Sequence, residues 1–258
     1  MPAPMNPFKK ALSQGAMQFG CWLGLADTFS AEMMGQAGFD WVVVDGEHGP
    51  NDLRSILAQL QVLASTDAHA VVRLPVGETY MIKQTLDAGA QTLLIPMVET
   101  VEQARQLVRD VNYPPHGDRG VGYALARASK FSTITDYGTT ADAQICLLLQ
   151  IENLRGLAAL DDILALDGVD GVFIGPADLA ADMGHMGNAA HPDVQAAIMD
   201  AITRIKAAGK APGILSTRDE ITNDAIAAGA QFVAVGADVL LLGQAARALA
   251  KKWQATKG

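Results

Sequence analysis

Short apolar runs rich in Val, Ile and Leu alternate along the chain with longer segments in which polar residues recur. Such runs are typical of strands in a parallel sheet, because helices cover both faces of that kind of sheet. The pattern predicts eight strands, at Phe19–Leu23, Trp41–Val44, Ala70–Leu74, Thr92–Pro96, Ile145–Ile151, Gly171–Ile174, Ala211–Leu215 and Phe232–Val235.

The segments between the predicted strands carry the end signals of helices. Gly38, Gly89 and Gly229 each follow an Ala at the end of such a segment, where a left-handed residue commonly ends a helix. The predicted helices are Ser30–Ala37, Asn51–Ala64, Tyr80–Ala88, Thr100–Val111, Leu157–Leu166, Pro192–Ala208, Thr217–Ala228 and Gln244–Trp253.

Eight strand–helix units in 258 residues favour a single (β/α)8-barrel domain over residues 1–258. An open, doubly wound sheet is the alternative. No Gly-x-Gly-x-x-Gly turn follows the first run, so a nucleotide cofactor has no support. The one irregular insertion runs from about residue 112 to residue 143, and insertions of this length usually serve a function or an interface.

The formal net charge of the chain is −9 at pH 7, which argues against non-specific nucleic-acid binding. No apolar stretch is long enough to span a membrane, and the first residues lack the apolar segment of a signal peptide. We therefore expect a cytoplasmic protein without a membrane or nucleic-acid partner. Cys21 and Cys146 lie in apolar runs, so we expect them to be buried core residues.

Ionisable residues gather where the predicted strands end, which is where barrel enzymes carry their active sites. Asp45, Glu47 and His48 follow the second run, and Arg73 lies in the third. The ends of later predicted strands carry Glu99, Glu152, Asp178 and Asp238.

Glu152 and Asp178 follow consecutive strands, so we expect them to be neighbours. Gln150 and Glu152 point to the same side of their strand, and a carboxylate inside a barrel needs a partner or a metal ion. Two carboxylates that leave further coordination positions free for water and substrate oxygens are typical of an Mg²⁺ or Mn²⁺ site. The alternatives are a salt bridge from Glu152 to Arg73 and a helix N-cap at Asp178.

His48 beside carboxylates is a candidate general base, although a loop histidine is often merely solvated. Arg73 is a candidate to bind a carboxylate or stabilise an enolate oxygen. Asp87 on the following helix has the character of a surface charge. No lysine lies within or at the carboxyl end of a predicted strand, so a Schiff-base mechanism lacks its amine.

Several motifs in order resemble the metal-dependent class II pyruvate aldolases of the HpcH/HpaI family. Within that family the chain is most similar to enzymes acting on 4-hydroxy-2-oxoheptanedioate. The motifs are Trp41-Val-Val-Val-Asp-Gly-Glu-His48, Val71-Val-Arg73, Leu93-Leu-Ile-Pro-Met97, Gln150-Ile-Glu152 and Gly171-Val-Phe-Ile-Gly-Pro-Ala-Asp-Leu179.

The resemblance implies a role for each matching residue. Glu152 and Asp178 would bind Mg²⁺, Mn²⁺ or Co²⁺, Arg73 would stabilise the enolate, and His48 would be the base. It also implies that Asp87 raises the basicity of His48, which overrides the surface-charge interpretation. The substrate-binding residues would be Gln150, Gly175, Pro176, Ala177, Asp178 and Leu215.

The implied reaction is the cleavage of a 4-hydroxy-2-oxoacid, such as 4-hydroxy-2-oxoheptanedioate, to pyruvate and an aldehyde such as succinate semialdehyde, and the reverse addition. This reaction would place the enzyme in aromatic hydrocarbon catabolism. The resemblance further implies a homohexamer in which the last helix packs on a neighbouring subunit and the insertion helps to close a neighbouring site.

Other functions stay open on the sequence. A 2-keto-3-deoxy-sugar-acid aldolase would use the same scaffold, with more hydroxyl partners near Leu215 and Ser216. A lyase acting on a coenzyme-A ester would need a basic groove, which this acidic chain does not indicate. A barrel that binds a metal ion and a ketoacid without turnover is the non-enzymatic alternative.

Overall fold

A computed structural model describes residues 1–257 and shows a closed parallel barrel. The first strand pairs in parallel with both the second and the last, which closes the sheet and rules out the open doubly wound alternative. Across residues 1–257 the barrel strands are β1 Gln18–Leu23, β2 Trp41–Asp45, β3 His69–Arg73, β4 Thr92–Ile95, β5 Cys146–Ile151, β6 Gly171–Ile174, β7 Ala211–Leu215 and β8 Phe232–Ala237.

Helices surround the barrel, and each helix predicted from the sequence is present with shifted ends. The last helix begins at Asp238, six residues before the predicted start at Gln244. The described α-helices are α1 Pro7–Ser13, α2 Thr28–Gly35, α3 Leu53–Leu63, α4 Thr79–Asp87, α5 Val101–Val111, α6 Tyr137–Thr140, α7 Leu154–Leu164, α8 Pro176–Asp182, α9 Pro192–Ala207, α10 Asp219–Ala228 and α11 Asp238–Gln254.

The core has two layers, and alternation along each strand assigns side chains to one or the other. In β5, Leu147 and Leu149 pack outward against the helices, whereas Cys146 and Leu148 pack inside the barrel. Gln150 has the parity of the interior residues and is 2% exposed. Gln150 therefore faces the barrel interior, and Glu152, two residues later, has the same parity.

The amino-terminal end of the barrel is closed by α1, a helix that the sequence pattern did not predict. Phe8 of α1 stacks on His69, with ring centroids 5.5 Å apart, and also contacts Trp41 and Phe232. This aromatic layer blocks one end of the barrel, so a buried site has access from the carboxyl ends of the strands.

The insertion at residues 112–143 contains α6 and three short 3-10 helices at Tyr123–Leu125, Arg127–Ser129 and Asp142–Gln144. Its Arg119 is fully buried, with the guanidinium 4.3 Å from the ring centroid of Tyr113. Because the insertion joins the end of α5 to the start of β5, it lies at the amino-terminal end of the barrel. Within its own chain it does not approach the carboxyl-end rim.

The predicted turn glycines and cysteines behave as expected. Gly38, Gly89 and Gly229 have φ values of 93°, 105° and 114°, a region that glycine enters without strain. Cys21 and Cys146 are free and buried. Over residues 1–257, no helix has both the length and the apolar character that crossing a bilayer requires.

Candidate active site

Glu152 is the buried carboxylate at the carboxyl end of β5, with 2% of its surface exposed. Its Oε2 accepts a hydrogen bond from Gln150 Nε2 at 2.6 Å, and its Oε1 accepts one from the backbone N–H of Met97 at 2.9 Å. These two donors hold the carboxylate at the rim of the barrel interior. A salt bridge to Arg73, the structural alternative for Glu152, is not formed.

The segment after β4 supplies the backbone donor to Glu152. Met97 adopts a left-handed conformation with φ 55°, which is uncommon for a residue other than glycine. The next residue, Val98, donates its N–H to the carbonyl of Gln150 at 3.1 Å. A strained backbone held against the end of β5 therefore aims one N–H at the carboxylate, and strain of this kind is concentrated at functional sites.

Gly175, at the end of β6, packs directly against Glu152. A Cβ on Gly175 would lie 2.5 Å from Glu152 Oε2 and 2.8 Å from Glu152 Cβ, too close for any side chain. Gly175 is also the N-cap of α8, and Pro176 is the first residue of that helix. Asp178 lies in the first turn of α8 and is exposed. The helix-cap alternative for Asp178 is therefore wrong, and its carboxylate is directed to solvent at this rim.

Arg73 ends β3 and pairs with two carboxylates, one at the end of β2 and one in the loop that follows it. Its Nε and Nη2 donate to the two Asp45 oxygens at 2.9 and 2.7 Å, and its Nη1 lies 2.6 Å from Glu47 Oε2. The guanidinium also lies 5.3 Å from the ring centroid of Trp22. A two-pronged ion pair with an aromatic neighbour fixes Arg73 in one orientation.

The acidic residues at this rim affect one another's protonation. Burial raises the pKa of Glu152 to about 7, and the charges of Glu47 and Asp178 add to the increase. Burial likewise raises the pKa of Glu47, against the opposing effect of Arg73. Four carboxylates, those of Asp45, Glu47, Glu152 and Asp178, share this rim with the single guanidinium of Arg73, and a divalent cation would neutralise the excess negative charge. The donor set, all oxygen, fits Mg²⁺ or Mn²⁺.

His48 and Asp87, the predicted base and its partner, are not brought together within the chain. His48 is exposed on the loop after β2, with its backbone N–H 3.3 Å from Asp45 Oδ1. Asp87 is the last residue of α4, at the opposite end of the barrel, and its Oδ1 pairs with Arg119 Nη2 at 2.9 Å. Within this chain His48 is close enough to Glu47 for its charge to oppose the rise in the pKa of Glu47, whereas Asp87 is paired with Arg119.

The remaining predicted residues lie around the same rim. Ala177 is exposed in the first turn of α8, and Leu215 is half-buried at the end of β7. Gln150 Oε1 is buried without a hydrogen-bond partner. An unpaired buried carbonyl oxygen is costly, so a donor from water or a ligand is expected at this position.

Sequence reasoning assigned no role to Glu47, Met97 or Trp22. Glu47 stands within the same four-residue segment as Asp45 and His48, so its position after β2 was a usable signal. Neither the left-handed backbone of Met97 nor the contact of Trp22 with Arg73 has a signature in the sequence, because both arise from chain packing.

A large cavity also lies at the opposite end of the barrel from these residues. A cavity of about 600 Å³ lies at the amino-terminal end of the barrel, lined by Phe8, Asp40 and His69 among others. That cavity does not contain the convergent carboxylates, the buried arginine or the strained backbone, so we assign the candidate site to the carboxyl-end rim.

The family of the chain follows from comparison with known proteins. The model of the HpcH/HpaI aldolase/citrate lyase family matches residues 18–245, which include every rim residue described above. The chain belongs to this family. The predicted resemblance is confirmed.

Named relatives agree with this assignment. A hydroxypyruvate/pyruvate aldolase of Roseobacter denitrificans is 58% identical over 98% of this chain and 99% of its own length. A 4-hydroxy-2-oxo-heptane-1,7-dioate aldolase of Salmonella dublin is 53% identical over 98% of this chain and 96% of its own. A crystal structure of a family member from Burkholderia cenocepacia J2315 has a TM-score of 0.93 at 38% identity, covering 97% of this chain and all of that one.

These similarities establish the reaction class. The chain is an enzyme, a class II pyruvate aldolase and hence a carbon–carbon lyase that acts on hydroxy-oxoacids. The relatives differ in the substrates for which they are named, so family membership does not select among those substrates.

Proposed function

We propose that this enzyme cleaves 4-hydroxy-2-oxoacids to a 2-oxoacid and an aldehyde, and catalyses the reverse addition, with a divalent metal ion held by Glu152 and Asp178. The observation that carries the proposal is the buried Glu152, close enough to Glu47 and Asp178 for their charges to raise its pKa. A bound divalent cation would act as a Lewis acid that stabilises negative charge on the 2-oxo oxygen. Mg²⁺, Mn²⁺ and Co²⁺ all suit this donor set.

Arg73 is the cation that this chain itself contributes. When the C3–C4 bond of the substrate breaks, the electron pair moves onto the 2-oxo group and gives an enolate. A guanidinium fixed by Asp45 and Glu47 at the rim needs no rearrangement to meet that charge. The ion pairs engage all three nitrogens of the guanidinium but leave the second N–H of Nη1 and of Nη2 for the substrate.

His48 is proposed as the base that removes the C4 hydroxyl proton, through a water molecule. Its exposed position on the rim permits contact with that water. Asp87 lies at the opposite end of the barrel from His48 of the same chain, where it pairs with Arg119. We therefore propose a catalytic role for Asp87 only in an oligomer, where it would act on His48 of a neighbouring subunit.

The oxoacid end of the substrate would lie between the ends of β5, β6 and β7. Gln150, Gly175, Pro176, Ala177 and Leu215 line this part of the rim, with Asp178 among them. The unpaired Gln150 Oε1 favours a substrate that brings a hydroxyl donor. This favours hydroxypyruvate beside pyruvate as a donor, in line with the name of the Roseobacter relative.

We also propose a homohexamer in which α11 packs on a neighbouring subunit. Leu242, Leu249 and Trp253 are 60%, 59% and 60% exposed, and their spacing places them on one face of α11. A face of large apolar residues on one helix is typical of a protein contact.

The deciding experiment measures release of pyruvate and hydroxypyruvate from a panel of 4-hydroxy-2-oxoacids, including 4-hydroxy-2-oxoheptanedioate and 2-keto-3-deoxy-sugar acids. We expect turnover to vanish after chelation with EDTA and to return with Mg²⁺, Mn²⁺ or Co²⁺. Full activity after exhaustive chelation would exclude the metal assignment. Preference for sugar acids, or oxoacid binding without turnover of any substrate, would support the corresponding alternative.

Borohydride treatment in the presence of pyruvate provides a separate test of the mechanism. Without an amine at the site, no covalent adduct should be trapped. Detection of a pyruvyl-lysine by mass spectrometry would contradict the metal-dependent mechanism.

A further inference from the structure

A second group of metal-ligating side chains lies where the loop after α8 meets the first turn of α9. His185, His191 and Asp193 each offer one ligand atom, and these atoms all lie within 4.8 Å of one another. The group contains imidazole nitrogens, in contrast to the oxygen donors of the aldolase site. None of these three residues takes part in the proposed reaction.

The loop backbone brings the two imidazoles together. Gly184 and Gly187 have φ values of 82° and 74°, and the chain folds back through hydrogen bonds from His185 N–H to Ala180 O at 2.7 Å and from His191 N–H to Asn188 O at 3.0 Å. The rings of His185 and His191 stack with centroids 3.5 Å apart and an interplanar angle of 13°. The loop thus keeps the two imidazoles in contact, but their in-plane nitrogen lone pairs run parallel, so one ring must rotate out of the stack before both can bind the same ion.

The distances come close to those of a bound ion. His191 Nδ1 lies 3.8 Å from Asp193 Oδ2, and ligands about 2.1 Å from a tetrahedral ion are separated by about 3.4 Å. The Nδ1 atom accepts only a long hydrogen bond, 3.3 Å from the Asp193 N–H, which an ion would replace at small cost. Rotation of one imidazole out of the stack, with a small movement of the Asp193 carboxylate, would complete the site.

Charge and exposure support the same interpretation. Two neutral imidazoles and one carboxylate carry a single negative charge, which a divalent cation more than neutralises. The side chains of His191 and Asp193 are 32% and 74% exposed, so water can fill a fourth position. Nitrogen-rich sites of this kind favour Zn²⁺, Cu²⁺ and Ni²⁺ over Mg²⁺.

We propose that His185, His191 and Asp193 form a binding site for a transition-metal ion of the Zn²⁺ class, separate from the aldolase metal site. The bound ion links the loop to the start of α9 and stabilises the connection that follows α8. The aldolase reaction itself does not require this ion.

The test titrates ZnCl2 into the chelator-treated full-length enzyme by calorimetry, with excess Mg²⁺ present to occupy the oxygen-donor site. We expect saturable uptake of one Zn²⁺ per chain and a higher melting temperature. H185F keeps the ring stacking but removes a ligand, and D193N removes the charged oxygen. Each should weaken Zn²⁺ binding at least ten-fold and abolish the rise in melting temperature.

Three controls make the result decisive. H116A removes an exposed histidine outside the group and should bind Zn²⁺ like the parent chain. H185F should keep its Mg²⁺-supported aldolase turnover, which verifies its fold. E152Q should retain Zn²⁺ uptake. Parent-like Zn²⁺ affinity in both H185F and D193N, or loss of uptake in E152Q alone, would overturn the proposal.

Discussion

At the scale of single residues, the position of the Glu152 carboxylate depends on close contacts with its neighbours. Glu152 is bounded by Gln150, by the backbone of Met97 and by Gly175. Position along the strand predicts that Glu152 faces the rim. It does not predict that glycine is the one residue that fits at position 175.

Gly175→Ala is expected to displace the Glu152 carboxylate, because the added Cβ would lie 2.5 Å from Oε2. Gly175 has φ −90°, so alanine introduces no backbone strain there. We expect affinity for Mn²⁺ and kcat/KM to fall at least ten-fold, and the melting temperature to fall as well, because the added Cβ also meets Glu152 Cβ at 2.8 Å.

Gly24→Ala is the matched control on the same rim, since its added Cβ would meet Val239 at an ordinary 3.5 Å. Its Mn²⁺ affinity and turnover should remain within about two-fold of the parent enzyme. Equal Mn²⁺ affinity in the Gly175 and Gly24 variants would show that the Glu152 carboxylate does not bind the ion.

His69 introduces a pH dependence of stability at the other end of the barrel. It is stacked on Phe8 and bonded to Thr92 Oγ1, near a cavity lined by Asp40 and Asp67, and burial lowers its pKa from 6.5 to about 4. Between these pH values the unfolded chain binds more protons at His69 than the folded chain. The free energy of unfolding should therefore fall as pH drops through this window, by about 1–3 kcal/mol.

Urea unfolding at pH 7 and pH 5 measures this loss. His69→Gln keeps a hydrogen-bonding group for Thr92 but does not titrate, so its stability should depend less on pH. His116→Gln, at an exposed position, should retain the parent dependence. An unchanged slope in the His69 variant would show that His69 is not the group responsible.

At the scale of secondary-structure elements, the periodic strands and long helices were predictable and the short helices were not. The seven residues of α1 and of α8 span about two helical turns, too few for an apolar period to be recognised. Their tertiary neighbours stabilise them: Phe8 packs into the barrel, and Leu179 of α8 is fully buried.

Asp238 joins the start of α11 to the loop after β1. Its carboxylate, 4% exposed, accepts from the backbone N–H groups of Gly24 at 2.8 Å, Leu25 at 3.2 Å and Val239 at 2.6 Å. Asp238→Ala should leave these donors unpaired and lower the free energy of unfolding by about 2–4 kcal/mol. Chemical denaturation measures the loss.

Asp238→Asn is the matched variant, because it keeps an acceptor oxygen without the charge. It should lose less stability than the alanine variant. Equal stability of the alanine variant and the parent would contradict the anchoring role of Asp238.

At the scale of the whole molecule, one end of the barrel is closed and α11 leaves apolar side chains uncovered. Leu249→Glu should place a charge on the exposed face of α11 and reduce the mass measured by light scattering in solution. Gln244→Glu adds the same charge at another exposed position of α11 and should leave the mass unchanged. Identical masses for the Leu249 variant and the parent would contradict the assembly proposed for this face.

The sequence by itself determined the barrel, because strand and helix periods are local properties repeated eight times. It also predicted the end of the barrel at which the candidate site lies, because Glu152, Asp178 and Arg73 all follow or end buried strands. The resemblance to the family could be identified from the sequence because its motifs are short segments at the ends of these strands.

Only the tertiary structure decided which charges meet. Arg73 pairs with Asp45 and Glu47 instead of Glu152, and Asp87 pairs with Arg119 away from His48. Ion pairs depend on side-chain approach at the scale of ångströms between segments far apart in the chain. That approach is set by packing, which no local pattern encodes.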